Sequence, residues 1–315
     1  MKTELARAFD LGQDFTLSLI HVSENKTFRI DSVDGRRFAL RLARPGYHTA
    51  PEFTSEVAWI EALRMESVVA VAGPVRGRDG NHVQQIASNN ALLFEWADGS
   101  EPVMSDNLLS LAEQVGALAA HLHHHALDWQ RPAGFIRPRW DFHAALGNDI
   151  RWGDWRKGLG VEAQMLPLLS RTVVGIEHQL TAYGQSKQRF NLIHGDLRLA
   201  NLLIDKGAIT VIDFDDCGFG WLMYDAASMI SFHEHETQAP QMIQHWIEGY
   251  RRIRNLTSDD EAAIQTLIMF RRLLLLAWLG THSDIELAKS VKPVFATQTL
   301  VLCERFLTGG SALAI

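Results

Sequence analysis

Asp196, Asn201 and Asp213 have the types and spacing that a cation-assisted phosphoryl site needs. The first two lie five positions apart in His194-Gly-Asp-Leu-Arg-Leu-Ala-Asn-Leu-Leu-Ile-Asp205, and Asp213 follows twelve positions after Asn201 in Ile212-Asp-Phe-Asp215. An amide oxygen and a carboxylate brought face to face, with a second carboxylate close by, form an oxygen-ligand site for magnesium carrying a nucleotide phosphate. Each fragment alone is weak. A His-x-Asp in apolar surroundings is ordinarily a satisfied structural pair, and Asp-x-Asp-Asp is ordinarily a solvated turn. Together they gain force because the residues between them explain how the three groups would meet.

Those residues read as a hairpin. Leu202 to Ile204 is apolar, Asp205-Lys-Gly207 is a turn, and Ile209 to Ile212 is apolar again. Two short strands about a glycine-containing turn bring their ends together, so Asn201 and Asp213 are expected to become neighbours. Upstream, Leu17 to Val22, Thr27 to Ile30 and Arg37 to Leu42 read as strands, the last two joined by an Asp-Gly turn. Pro51 to Arg64 has apolar residues at helical spacing. Val75 to Gly77, His82 to Ile86 and Ala91 to Glu95 complete a small sheet, and Trp96-Ala-Asp-Gly-Ser-Glu-Pro102 reads as a linker. Helical patterns then dominate, at Leu108 to Leu122, Met165 to Tyr183, Tyr224 to Phe232, Met242 to Arg252 and Ala262 to His282, interrupted only by the hairpin. The expectation is an α+β, bilobal chain. Residues 1–96 form a small antiparallel-sheet lobe with one helix, and residues 97–315 form a larger, mostly helical lobe. A nucleotide would fit a cleft between them.

The segments HGDLRLANLLID, IDFDD and YDAAS resemble the aminoglycoside phosphotransferase and choline kinase family, a branch of the protein-kinase-like fold. The nearest flavour is that of its homoserine-kinase-like and stress-response-kinase-like members. The resemblance is strong over residues 190–230, moderate over 20–125 and weak beyond 235. It implies ATP as donor, Mg2+ as cofactor and a hydroxyl as acceptor. On that basis Asp196 is the candidate base, and Asn201 and Asp213 are the candidate metal ligands. Arg198 stands where protein kinases place a lysine against the γ-phosphate; the alternative is a solvated loop arginine. His194 would organise the loop backbone, and Asp225 resembles the family's buried aspartate that braces it.

The nucleotide side departs from the kinase pattern, in which a strand lysine pairs with a helix glutamate. Before residue 157 the only lysines are Lys2 and Lys26. Arg41 occupies the strand position, with Glu56 as its expected partner and Glu61 as second choice. An arginine can grip phosphate and carboxylate with different edges of its fork, although a surface charge on an alternating strand would look the same. Lys26 would reach phosphate from the loop between the first two strands, a loop without a glycine-rich signature. Phe94, Glu95 and Trp96 would supply the adenine-binding hinge through backbone groups.

Composition narrows the function. A chain of 315 residues with 47% hydrophobic content and 9 prolines is expected to be compact. A net charge of −7 gives a nucleic-acid partner no electrostatic support. Two cysteines build no disulfide framework, the charged N-terminus lacks the apolar stretch of a leader, and the apolar run Leu273 to Leu279 is too short for a bilayer. A cytoplasmic protein acting away from membranes is expected.

The acceptor is expected to be small. Eleven residues separate Asp213 from Asp225, too few for the activation segment on which protein kinases dock peptides, and Gly195 replaces the arginine that reads a phosphorylated loop. Trp140, Trp152 and Trp155, interleaved with arginines, and Arg271, Arg272, Trp278 and His282 on the late helix read either as packing or as a pocket wall. Arginine abundance leans toward an amino acid or amino alcohol over a polycationic aminoglycoside. Of Asp215 and Asp216, one would serve metal or an amine-bearing substrate and the other would be solvated. The alternatives are a protein serine/threonine kinase of the stress-response type and a nucleotide-binding pseudokinase, the latter prompted by the missing lysine. His121 and His125 would share a helix face and could pair on zinc, but no third ligand is fixed by spacing, and His233-Glu-His-Glu236 lacks the spacing of a helical zinc motif.

Overall fold

The computed structural model describes residues 1–12, 14–22, 25–103, 107–148, 151–291, 294–309 and 313. By its internal contacts the chain divides into two compact units. The first comprises Met1–Glu101, Gln130–Arg137 and Leu202–Asp215; the second comprises Pro102–Trp129, Pro138–Asn201 and Asp216–Ile315. A single boundary after residue 96 therefore does not describe the grouping. The reason is pairing: the hairpin bridges back to Ser100 through Ile204 and to Val71 through Val211, with Ile204 and Ser100 exchanging backbone hydrogen bonds of 2.9 and 3.2 Å.

Elements are numbered in chain order. The first unit opens with α1 (Lys2–Ala8), a helix that the charged N-terminal sequence concealed. It forms because Leu5 and Phe9 bury completely against the sheet. The sheet contains β1 (Phe15–Val22), β2 (Lys26–Ser32), β3 (Arg37–Leu42), β4 (Pro74–Val75), β5 (Gln84–Ile86) and β6 (Asn89–Glu95). Its order is β1-β2-β3-β6-β4, with β5 also on β6, and every pairing is antiparallel. The helix α2 (Ala50–Met65) starts at a capping box between Thr49 and Glu52 with Pro51 in the first turn. Phe53 and Val57 of α2 pack on Leu92 of the sheet. The hairpin is present as β9 (Leu202–Asp205) and β10 (Ala208–Val211). Its register pairs Leu202 with Val211 and Asp205 with Ala208. That leaves Lys206 and Gly207 as a two-residue turn with φ +50° and +87°, the double left-handed geometry that matches strand twist.

The second unit contains α3 (Leu108–Asp128), β7 (Arg139–Trp140), α4 (Phe142–Ala145), α5 (Leu166–Tyr183), β8 (Phe190–Ile193) and β11 (Gly218–Trp221). It ends with α6 (Tyr224–Met229), α7 (Ala239–Arg251), α8 (Ser258–Thr281), α9 (Glu286–Val291) and α10 (Phe295–Leu307). The hairpin is not the only interruption of the helices: β7, β11 and β8 form a three-stranded sheet, parallel on one side of β11 and antiparallel on the other. Such short strands carry little pattern, and β11 is half glycine. A Cβ at Gly218 would lie 2.5 Å from the Pro138 carbonyl oxygen, and one at Gly220 would lie 2.5 Å from Ile193 Cδ1. Close backbone approach, not strand propensity, writes that segment. The long helix α8 is buried from Thr266 to Leu279, so it packs as a core helix.

Candidate active site

In the second unit the fully buried strand β8 delivers His194, Gly195 and Asp196. Gly195 has φ +81°, and a Cβ there would sit 2.5 Å from the Asp216 carbonyl oxygen, so this turn requires glycine. The N–H groups of His194 and Gly195 donate to the two oxygens of the Asp225 carboxylate at 3.1 and 2.9 Å. The Asp196 N–H donates to His194 Nδ1 at 3.3 Å. A 3-10 turn, Leu199–Asn201, then carries Asn201 back to the aspartate.

Asp196 is gripped from three directions. Oδ2 accepts from Arg198 Nε at 3.0 Å and from Asn201 Nδ2 at 2.7 Å. Oδ1 accepts from Nη2 of Arg271 on α8. Burial alone would raise its pKa, but Arg198, Arg271 and His194 outweigh that and hold the carboxyl below the usual aspartate range. Asn201 Nδ2 also donates to the Asp196 carbonyl at 2.8 Å, which fixes the amide and leaves Oδ1 as the end not used on Asp196.

Arg271 is the site residue that sequence reasoning placed least well. Its Nε donates to Ser231 Oγ at 3.1 Å, and its Nη1 donates to the Tyr224 hydroxyl at 2.9 Å and to the Gly195 carbonyl at 3.4 Å. Its guanidinium lies 5.1 Å from the Trp152 ring centroid. The available signal was two adjacent arginines inside an otherwise apolar helix, since charged side chains are fully buried only when paired. The second, Arg272, is spent on structure: it donates to Glu234 at 2.6 Å, to Thr299 and to the Phe295 carbonyl. Glu234 is therefore a buried ion-pair partner. Among the described residues no group of three or more His, Cys, Asp or Glu is gathered as a metal site.

The tryptophans form a continuous aromatic run in this unit. Trp140 meets Trp152 edge-on at 5.2 Å, Trp152 lies 6.5 Å from Trp278, and Trp278 stacks on His282 at 4.7 Å. Trp140 Nε1 donates to the Asp216 carbonyl at 2.7 Å. The half-buried Asp216 acts electrostatically on Arg271 and Tyr224, as Asp196 does. Trp155 is fully buried and donates to the Leu146 carbonyl at 3.3 Å, a packing role.

In the first unit Arg41 stands on β3, opposite Thr27 and Leu92. Its Nη2 lies 2.7 Å from both oxygens of Glu56. Nη1 is 3.4 Å from Asp213 and Nη2 is 3.6 Å from Asp215. Glu61, the second choice of partner, is taken by Arg76 at 2.8 Å and His82 at 3.3 Å. Burial opposes the charge on Arg41, but Glu56, Asp215 and Asp213 together hold the guanidinium protonated more firmly than usual. Asp215 accepts from Asn25 Nδ2 at 2.9 Å, and Arg137 donates to its carbonyl. Burial raises the Asp215 pKa, yet Arg41, His48, Asn25 and Arg137 bring it below the ordinary value.

Asp213 has φ +60°, a left-handed conformation uncommon outside glycine, and its side chain is 46% exposed. Lys26 begins β2 with an exposed side chain, whereas its neighbour Asn25 is buried against Asp215. Ser23 and Glu24 of the same loop lie outside the described residues. Of the expected hinge, the Glu95 N–H donates to the Gly73 carbonyl at 2.7 Å and the Trp96 N–H to the Arg37 carbonyl at 3.1 Å. Both donors are spent within the sheet, while Phe94 lies 5.5 Å from the Arg41 guanidinium.

An antiparallel sheet with one long helix, succeeded in the chain by a mostly helical unit, is the architecture of kinase-like phosphotransferases. The chain belongs to the phosphotransferase enzyme family, whose profile matches residues 17–256. It is similar over 99% of its length to the structure of the microcompartment-associated aminopropanol kinase, with 37% identity, 98% coverage of that chain and a TM-score of 0.91. The amicoumacin kinase of Bacillus subtilis (strain 168) is 21% identical over 269 residues, 80% of this chain and 76% of the relative. An amicoumacin kinase structure in complex with AMP-PNP, Ca2+ and Ami shares the fold, with 20% identity, coverage of 95% and 92%, and a TM-score of 0.77.

Proposed function

We propose that the chain transfers the γ-phosphoryl group of ATP to the hydroxyl of a small amino alcohol, with Asp196 as the base. The observation that carries this reading is the anchoring of Asp196 by Arg198, Asn201 and Arg271 in a loop braced by Asp225. A carboxylate held anionic by two guanidiniums is a weak base at rest. It orients the substrate O–H by accepting its hydrogen bond, and it takes the proton as the new P–O bond forms and the bond to ADP breaks. Arg198 and Arg271 bring positive charge to the place where the phosphoryl oxygens would gain it.

The cation we assign is Mg2+, with Asn201 and Asp213 as its candidate ligands, each able to offer an oxygen. Asn201 turns its Nδ2 onto Asp196 and keeps an oxygen to offer, and Asp213 presents a half-exposed carboxylate. The acidic cluster of the first unit sets the carboxylates of Glu56, Asp213 and Asp215 against the guanidiniums of Arg41 and Arg137, and that surplus of negative charge favours a cation. Bound there, the ion would neutralise charge on the nucleotide phosphates. In this reading Arg41 takes the place of the strand lysine; its pairing with Glu56 supports that role and weighs against a pseudokinase. Adenine would be met by backbone groups around and beyond Phe94-Glu95-Trp96. Lys26, exposed at the start of β2, would approach phosphate from the end of that strand.

Similarity to an aminopropanol kinase supports the amino alcohol class. Asp216, half-buried and held through its carbonyl by Trp140 Nε1, is the carboxylate we assign to the ammonium. A protein acceptor is disfavoured because β11 and the start of α6 occupy the chain between Asp213 and Asp225. A cytoplasmic location accords with ATP as donor. The test is incubation with labelled ATP and amino alcohols, amino acids, aminoglycosides or a protein substrate in parallel. Label on an amino alcohol, lost in Asp196→Asn, supports the reading; label on protein alone overturns it.

A further inference from the structure

Behind the loop that carries Asp196 runs a chain of hydrogen bonds whose direction the chemistry fixes. Arg254 Nη1 lies 2.8 Å from the Tyr250 hydroxyl. A guanidinium has only protons to give, so the phenol oxygen accepts there. The phenol has a single proton of its own, and its other partner, at 3.0 Å, is His123 Nδ1. Nδ1 is therefore an acceptor, and the ring proton of a neutral imidazole resides on Nε2. His123 Nε2 lies 3.0 Å from Asp225 Oδ2 and donates to it. Asp225 passes the order on, its Oδ2 taking the His194 N–H and its Oδ1 the Gly195 N–H.

Four elements are tied to the loop in this way: α3 through His123, α7 through Tyr250, the turn after α7 through Arg254, and α6 through Asp225. His123, Tyr250 and Asp225 are wholly buried, so no solvent molecule competes for the bonds. The side chains facing the imidazole are Tyr250 and Asp225, with Arg254 acting across the phenol. Burial depresses the His123 pKa most, Asp225 raises it and Arg254 lowers it again. The net fall keeps the ring neutral, as the direction of the bonds requires.

We propose that His123 is a positioning residue: as the Nε2–H tautomer it holds the Asp225 carboxylate so that both oxygens capture the backbone of His194 and Gly195, and thereby sets where Asp196 stands. The functional half of this proposal rests on the phosphotransfer reading above; the tautomer does not. The two backbone N–H groups approach the Asp225 carboxylate from the loop itself, and the ring supplies a third donor from α3, so the carboxylate is held against an element outside the loop it positions. Arg254 also binds the Gln188 carbonyl and side chain, at 2.8 and 3.0 Å, just ahead of β8. The relay is thus anchored at the strand that leads into the loop.

The first experiment is 15N NMR of the histidine side chains in the intact protein near neutral pH, with the His123 signals assigned through a His123→Gln sample. A neutral ring protonated at Nε2 is expected. A ring protonated at Nδ1, or an imidazolium, would overturn the relay whatever the enzyme acts on. The second is steady-state kinetics. His123→Gln keeps an N–H donor for Asp225 and should retain kcat within about threefold, whereas His123→Met offers none. Displacement of the base by a fraction of an ångström should lower kcat of the methionine variant by about 10- to 100-fold, with KM for ATP and acceptor little changed. Equal kcat for both variants, or a loss carried by KM, would overturn the positioning role. Should His123→Met fail to fold, Tyr250→Phe decides the same point: it removes the donor to Nδ1, so a wild-type kcat there would overturn the role and a selective fall in kcat would support it.

Discussion

Replacement of Arg41 by methionine isolates the charge cluster of the first unit. The guanidinium contacts both oxygens of Glu56 at 2.7 Å, Asp213 at 3.4 Å and Asp215 at 3.6 Å. The Arg41 and Glu56 side chains are 8% and 0% exposed, so water cannot take over when one is removed. Loss of one partner from a buried pair costs about 3–5 kcal/mol, because the remaining charge stays desolvated and unmatched. At about 2–4 °C per kcal/mol for a chain somewhat smaller than this one, the unfolding temperature should drop by roughly 6–20 °C. The double replacement Arg41→Met with Glu56→Met removes both charges, and such swaps come out near neutral. It should recover much of the loss, short of all of it because Asp215 is left with Asn25 and its remaining neighbours alone. ATP affinity should be lost in both variants, since neither offers a cation to phosphate. The assays are thermal unfolding and nucleotide titration on the three proteins. An Arg41→Met protein that melts with the wild type, or a double variant no more stable than the single, would refute the energetic argument. Unchanged ATP affinity in either would refute the phosphate role.

Asp196→Asn is nearly isosteric and should lower turnover by about 10²–10⁴-fold while nucleotide titration stays unchanged; comparable turnover would remove Asp196 as the base. Asp216→Asn should raise KM for amino alcohols about tenfold or more, the worth of one charge-assisted contact, and leave KM for ATP alone; a shift in KM for ATP instead would move Asp216 to the metal side. Acidification should destabilise the fold through His123. The unfolded ring takes up a proton near its ordinary value of about 6.5, whereas the folded ring, depressed by burial, holds out to lower pH. Between those two values the unfolded state binds more protons, so stability falls as pH drops below about 6.5 and this contribution vanishes above it. Urea midpoints at two pH values should show a smaller acid loss in His123→Gln than in wild type, and identical losses would place the sensitivity elsewhere.

The parts of the molecule that were legible in sequence are those whose signal is local. The hairpin 202–211 announced itself through apolar runs around Lys206-Gly207, and its two-residue turn follows from that glycine. The pairing of Arg41 with Glu56 was legible through the kinase pattern, which sets a strand cation against a glutamate of the helix that follows. What stayed hidden depends on residues far apart in the chain. Arg271 and Asp196 are 75 positions apart, and helical periodicity tells which face is apolar, not what a cation on it touches. The three-stranded sheet escaped because β7 has two residues and β11 owes its path to glycines under Trp140 and Ile193. The helix α3 runs on to Asp128, past the histidines that looked like its end, because Leu122, His123, Ala126 and Leu127 continue its buried face. Position alone did not show that Asn25, beside the exposed Lys26, is the residue of that loop buried against Asp215.

The use of arginine at both clusters has a common cause in the number of acceptors each must serve. An ammonium could match Glu56 alone, as a lysine on the strand does in a kinase small lobe, but Arg41 also faces Asp213 and Asp215, and a planar fork reaches all three from one anchored stem. In the second unit Arg271 serves Asp196, the Gly195 carbonyl, Tyr224 and Ser231 at once, a set that no point charge could satisfy. A guanidinium does not lose its proton at any pH at which the protein is folded. The charge of each cluster is therefore set by its carboxylates and by what they bind. Under the proposed reading each cluster would respond to its cation or phosphate with its arginine acting as a fixed charge around which the ligands change.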